Sequence, residues 1–174
     1  MTLAIWIVLA ACAIAVAADL TTRRIPNALT IALALTGLAM HAAAGWVQLA
    51  VSFSALALVM ALGFLAFSMK WLGGGDVKLA AAAAATLGFP DTLAFLAYTA
   101  IGGGVLALAV ATASGRLGSV VGSVALVLRP FAYKGTVAIA PRQPIMLPYA
   151  IALACGAIAV ALSHTAAPYL RLSL

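Results

Sequence analysis

Three aspartates, Asp19, Asp76 and Asp91, are the only acidic side chains in this sequence, which contains no glutamate. Two carboxylates that come close together cannot both ionise, so they share a proton. Such a pair can activate a water with its ionised member while the protonated one polarises a peptide carbonyl, the division of labour of aspartic proteases. Asp91 follows Pro90 at the start of an apolar run, where a helix cap is the simpler reading. The candidates for a pair are therefore Asp19 and Asp76. Gly73, Gly74 and Gly75 stand directly before Asp76. Glycine lets a chain turn through positive φ and lets an extended peptide approach without a Cβ in the way. A helix N-terminus would also favour an ionised Asp76. Each feature has a plainer reading as well: a polar helix end for Asp19, and a linker for the glycines.

The elements that must position these acids are set by composition. Of 174 residues, 67% are hydrophobic and only 7% charged, against about a quarter charged in ordinary globular proteins. The solvent for most of the chain must be lipid, where backbone groups are satisfied only within helices or closed barrels. Long unbroken apolar runs select helices, so the fold class is an all-α integral membrane protein.

Six spans fit. The first runs from about Thr2 to Ala18 and ends in the polar stretch from Asp19 to Pro26; it reads as a retained helix rather than a cleaved signal. Asn27 can cap the second, which extends to Ala44, and Gly45 separates it from a third over Trp46 to Met69. A short fourth begins near Asp76 and stops at Gly88 and Pro90. Asp91 can cap the fifth, from Thr92 to Ala113, and the sixth covers Ile145 to Ser163. The fourth spans only about 18 Å at 1.5 Å per residue, short of a core about 30 Å thick. Irregular backbone beside it is allowed only where it lines a cavity, a pointer to a site at its N-terminal end.

Charge orients the bundle. With an external N-terminus, Arg23, Arg24, Lys70, Lys78, Arg116, Arg129, Lys134 and Arg142 share one side and only Arg171 lies on the other. The positive-inside rule makes the crowded side cytoplasmic, so the net charge of +6 marks loops rather than nucleic-acid binding. Asp19 and Asp76 fall on that same side, although the orientation was drawn from Lys and Arg alone. The whole chain, 1–174, reads as one membrane domain, with a cytoplasmic loop over 115–144 that could lie along the interface as an amphipathic helix. Cys12 and Cys155 have no ligand spacing and read as small buried hydrophobes; no metal or cofactor is expected. His41 and His164 fall near the outer helix ends and receive no role. Gly102, Gly103 and Gly104 read as a close-packing surface.

The two acid motifs resemble those of a known family. Gly73-Gly74-Gly75-Asp76 is similar to the signature of GxGD intramembrane aspartic proteases, which include presenilin-like proteins and type IV prepilin peptidases. Asp19 followed by Arg23, Arg24, Ile25, Pro26 and Asn27 looks like the D-x-x-x-R-x-I-P-N stretch of prepilin peptidases, with Arg24 the matching arginine by its adjacency to Ile-Pro-Asn. Asp76-Val77-Lys78-Leu79 is similar to the G-D-x-K-L continuation, and Pro148-Tyr149-Ala150 to the start of the family's last helix. The resemblance implies catalytic Asp19 and Asp76, with Gly73, Gly75, Arg24, Pro26, Asn27 and Lys78 supporting the site. It implies hydrolysis, at the cytoplasmic face of the inner membrane, of a short basic leader from prepilins, whose mature part begins with a hydrophobic helix. The chain has no cysteine-bearing domain between its first helices, the part associated with zinc and N-methylation. It looks like the short form serving Flp pili, and the resemblance does not extend to methyltransferase activity.

Read without the family, Arg23 and Arg24 serve equally as topology anchors, and Lys78, two residues after Asp76, faces away from it on a helix. An ion-coupled transporter, a relative that cuts helices within the bilayer and an assembly scaffold remain as rival readings; oligomeric state is open.

Overall fold

A computed structural model of the chain describes residues 3–115 and 149–171. The loop over 115–144 and the start of the sixth span lie almost wholly outside those residues. Six helices are described: α1 Leu3–Thr22, α2 Asn27–Ala44, α3 Trp46–Ser68, α4 Gly74–Leu87, α5 Asp91–Ala113 and α6 Tyr149–Arg171. Among the described residues there is no strand. Four helices, α1, α2, α3 and α5, are long and apolar enough to cross a membrane. By backbone contacts the chain divides into Met1–Gly103 with Pro148–Leu174, and Gly104–Leu147. Of the second unit, the described part is the C-terminal half of α5 and its closing turn.

The middle of the first unit is α4. Every residue from Ala81 to Leu87 is buried, and the alanines let neighbouring helices come close enough to bond its backbone. Ser52 Oγ on α3 donates to the Ala85 carbonyl (2.6 Å), Thr92 Oγ1 on α5 to that of Ala84 (3.2 Å), and Thr86 Oγ1 back to the Leu33 carbonyl on α2 (3.2 Å). Gly37 permits the α2–α4 approach, because a Cβ there would lie 2.6 Å from Thr86 Cα. On the other side Ile5, Val8, Cys12 and Ala15, a stripe along α1, pack with Leu79 and Ala83 of α4 and Leu153, Ala157 and Val160 of α6. Large apolar side chains such as Trp46, Phe53, Phe64 and Leu65 stand exposed on the outside, a surface suited to lipid rather than water. Cys155 is also exposed, which corrects the expectation that both cysteines are buried; in an all-round apolar helix, core and lipid faces look alike.

The helix ends depart from the sequence expectations in ways that matter. α1 continues a full turn beyond Ala18, so Asp19 lies inside the helix. Thr21 and Thr22 donate their hydroxyls to the carbonyls of Ala17 and Ala18 (both 2.8 Å), which keeps polar residues helical. The helix stops at Arg23, whose φ of 52° is left-handed. α3 ends in a Schellman motif with Lys70 in the left-handed position (φ 61°): Lys70 N–H bonds Phe67 O and Trp71 N–H bonds Ala66 O, both 2.9 Å. α4 starts at Gly74, two residues earlier than expected. α6 runs on past Ser163 to Arg171.

Candidate active site

Short connections put four helix ends together. The link from Arg23 to Pro26 joins α1 to α2, and that from Met69 to Gly73 joins α3 to α4. The end of α1 and the starts of α2 and α4 therefore border one recess of about 330 Å³. Its lining holds both candidate acids, Asp19 and Asp76, together with Arg23, Arg24, Ile25, Asn27, Lys78 and the run Gly73–Gly75. Of the residues singled out in the sequence, the structure brings together Asp19, Asp76, Gly73, Gly75, Arg24, Asn27 and Lys78. Pro26 is outside the lining; it is the extended residue (φ −62°, ψ 130°) that leads into α2.

The roles of two residues differ from expectation. Asn27 makes no capping bond. Its Oδ1 accepts instead from Lys78 Nζ at 3.0 Å, a tie between α2 and α4 across the recess. Lys78 thus faces away from Asp76 along the helix, as its spacing requires, yet still borders the same space. The three glycines are not used for positive φ. Gly73 has φ −75° and ψ 146°, which any residue adopts, and Gly74 and Gly75 are helical. Their use is clearance: a Cβ on Gly73 would lie 2.7 Å from Asp76 Oδ2, and one on Gly75 would lie 3.3 Å from Ile25 Cβ.

Asp76 sits in the first turn of α4, in the lining of the recess and outside the fully covered stretch that begins further along the helix. It is half-buried there, and the negative charge of Asp19 and the backbone amides of Gly73 and Asp76 all act on its carboxyl. Tyr149, the first residue of α6, was noted in the sequence only as part of a motif. It stands within electrostatic reach of Asp76. No spacing could have brought it to notice, since it lies 73 residues beyond Asp76 in the chain.

The remaining polar groups lie elsewhere. Asp91 Oδ2 lies 3.0 Å from His164 Nε2, a hydrogen bond that joins α5 to α6. Its carboxylate therefore has a partner beyond the cap assigned to it from sequence. His41 Nε2 is 3.3 Å from the Thr86 carbonyl, at the far end of α4. Gly102 and Gly103 allow close packing of α5 on α6: Cβ atoms there would lie 3.2 Å from Cys155 Cβ and 3.4 Å from Ala152 Cβ.

Fold and recess together define a helical integral membrane protein whose carboxylate pair is gathered at one end of its bundle. The model of the type IV leader peptidase family matches residues 6–108, more than half of the chain and all of the recess lining. The chain belongs to this family of peptidases. Neither a curated protein nor a solved structure matches it significantly.

Proposed function

We propose that the chain is a membrane aspartic endopeptidase that removes the short basic leader from type IV or Flp prepilins at the cytoplasmic face of the inner membrane. The observation that carries this reading is the shared recess: two acids 57 positions apart in the chain open onto one space, inside the family match. The pair shares one proton. A water between the acids gives a proton to the ionised member as its oxygen attacks the scissile carbonyl, while the protonated member donates to the carbonyl oxygen. Collapse of the tetrahedral intermediate returns a proton to the leaving amine, which becomes the N-terminus of the mature pilin. Arg23, Arg24 and Lys78 at the rim oppose the negative charge that develops.

The inward orientation rests on charge: Arg23, Arg24, Lys70 and Lys78 all lie at or beside the helix ends that border the recess. The partners of this reading are the prepilin and the bilayer, with no cofactor and no nucleic acid.

The test is prepilin cleavage in membranes by Asp19→Asn and Asp76→Asn. Each is expected to lower kcat by about 10²–10⁴ at normal protein levels, the range for removing a general acid or base. Full processing by either variant would remove that residue from the pair. An ion flux abolished by both substitutions, with processing intact, would favour the transporter reading.

A further inference from the structure

Beside the recess, and sharing two of its residues, lies a second hollow of about 330 Å³ between α2, α3 and α4. Its common wall is the Asn27–Lys78 hydrogen bond, and both residues border both spaces. Beyond that wall the polar character ends. Thr30 turns its hydroxyl to the Asn27 carbonyl at 3.0 Å, and the rest of the lining is Ile31, Ala34, Leu56, Met60, Ala81 and Ala82. Ala81 and Ala82 are buried and form the floor; their small side chains are what leaves the hollow open. Met60 and Ile31 are exposed at its rim, 37% and 58%, so the hollow opens sideways between α2 and α3.

Position and size restrict the occupant. Along α2 the hollow runs from Asn27 to Ala34, and along α4 from Lys78 to Ala82, about half a turn to nearly two turns beyond Asp76. A volume near 300 Å³ is at the lower limit of ligand pockets and holds one or two bulky side chains rather than a helix. A peptide whose scissile bond lies at the Asp19–Asp76 pair has its apolar, mature side directed into the bilayer, past Asn27 and Lys78. We infer that this hollow is a specificity pocket, which receives the first apolar side chain of the mature segment and so sets the bond presented to the two acids. The inference rests on the peptidase reading and adds to it the residues that choose the cleavage position. Met60 and Leu56 determine the size accepted, and the Asn27–Lys78 tie holds α2 and α4 at the spacing that keeps the pocket open.

The experiment uses full-length protein in proteoliposomes with two prepilins, one with a bulky apolar residue at the first mature position and one with alanine there. The readout is the ratio of their kcat/KM values, which is expected to favour the bulky substrate about tenfold or more in the wild type. Met60→Trp fills the pocket from its rim and is expected to collapse that ratio to about one; Leu56→Ala enlarges it and should shift preference towards a still larger side chain. A ratio that both variants leave unchanged overturns the inference, as does activity that follows the acyl-chain length of the bilayer instead of the substrate residue, which would make the hollow a lipid site. If Met60→Trp does not fold, the direction of the Leu56→Ala shift decides alone. Failure of the peptidase reading looks different: the wild type would then cleave neither substrate, or cleave both regardless of Asp19→Asn and Asp76→Asn.

Discussion

Replacing Gly73 with alanine should damage the chemistry while leaving the fold almost intact. The backbone at Gly73 (φ −75°, ψ 146°) suits alanine, and Gly73 is exposed, so neither strain nor overpacking opposes the change. The new Cβ, however, falls 2.7 Å from Asp76 Oδ2. Restoring ordinary contact at 3.4 Å displaces the carboxylate by about 0.7 Å, and misplacing a catalytic group by about 1 Å can lower the rate about 10²-fold. Asp76 is a short side chain, and the amide of Gly73 faces its carboxylate as in a capping box. It therefore cannot swing aside without losing that group. We expect Gly73→Ala to reduce kcat for prepilin cleavage by about 10–100-fold, with the thermal midpoint in detergent unchanged to within a few degrees. A variant with normal kcat would show that Asp76 is not held where the clearance matters. A variant that fails to fold would show that Gly73 serves the helix junction rather than the carboxylate.

One further outcome follows from the geometry. At the other end of α4, Gly37→Ala would set a Cβ 2.6 Å from Thr86 Cα. Backbone cannot rotate away, so overpacking should destabilise by about 1–3 kcal/mol, read as a lowered midpoint of thermal unfolding; an unchanged midpoint would mean that α2 and α4 are not in that contact.

The helices were legible because apolar runs are punctuated by residues that cannot continue them, such as Pro26, Gly45 and Gly88. Both acids drew notice because carboxylates are so rare here that each demands an explanation. What the sequence left out was relation across distance. Thr21 and Thr22 look like a loop until their hydroxyls are seen to bond carbonyls one turn back. Asn27 has the right type for a cap, and only the fold reveals Lys78, 51 positions away, as its partner. The glycines before Asp76 were expected to supply positive φ, because conformational freedom is a local property. Their actual use, room for Asp76 and Ile25, depends on side chains that the local sequence does not orient.

The shortness of α4 ties these observations together. Its 14 residues extend about 21 Å, whereas the apolar core of a bilayer is about 30 Å thick. An ordinary span of 20 or more residues would have its first turn level with its neighbours, and Asp76 would be a solvated surface acid without unusual properties. A helix shorter by several residues instead leaves a shortfall that its surroundings must line. At the N-terminal end the lining consists of the extra turn of α1, the Arg23–Pro26 link and the glycines, the borders of the recess. Water can then reach a carboxyl that is half-buried. The placing of Asp19 and Asp76 on one recess thus depends as much on the length of α4 as on the acids themselves. It is α1's additional turn, the part least evident in the sequence, that carries Asp19 to the same recess.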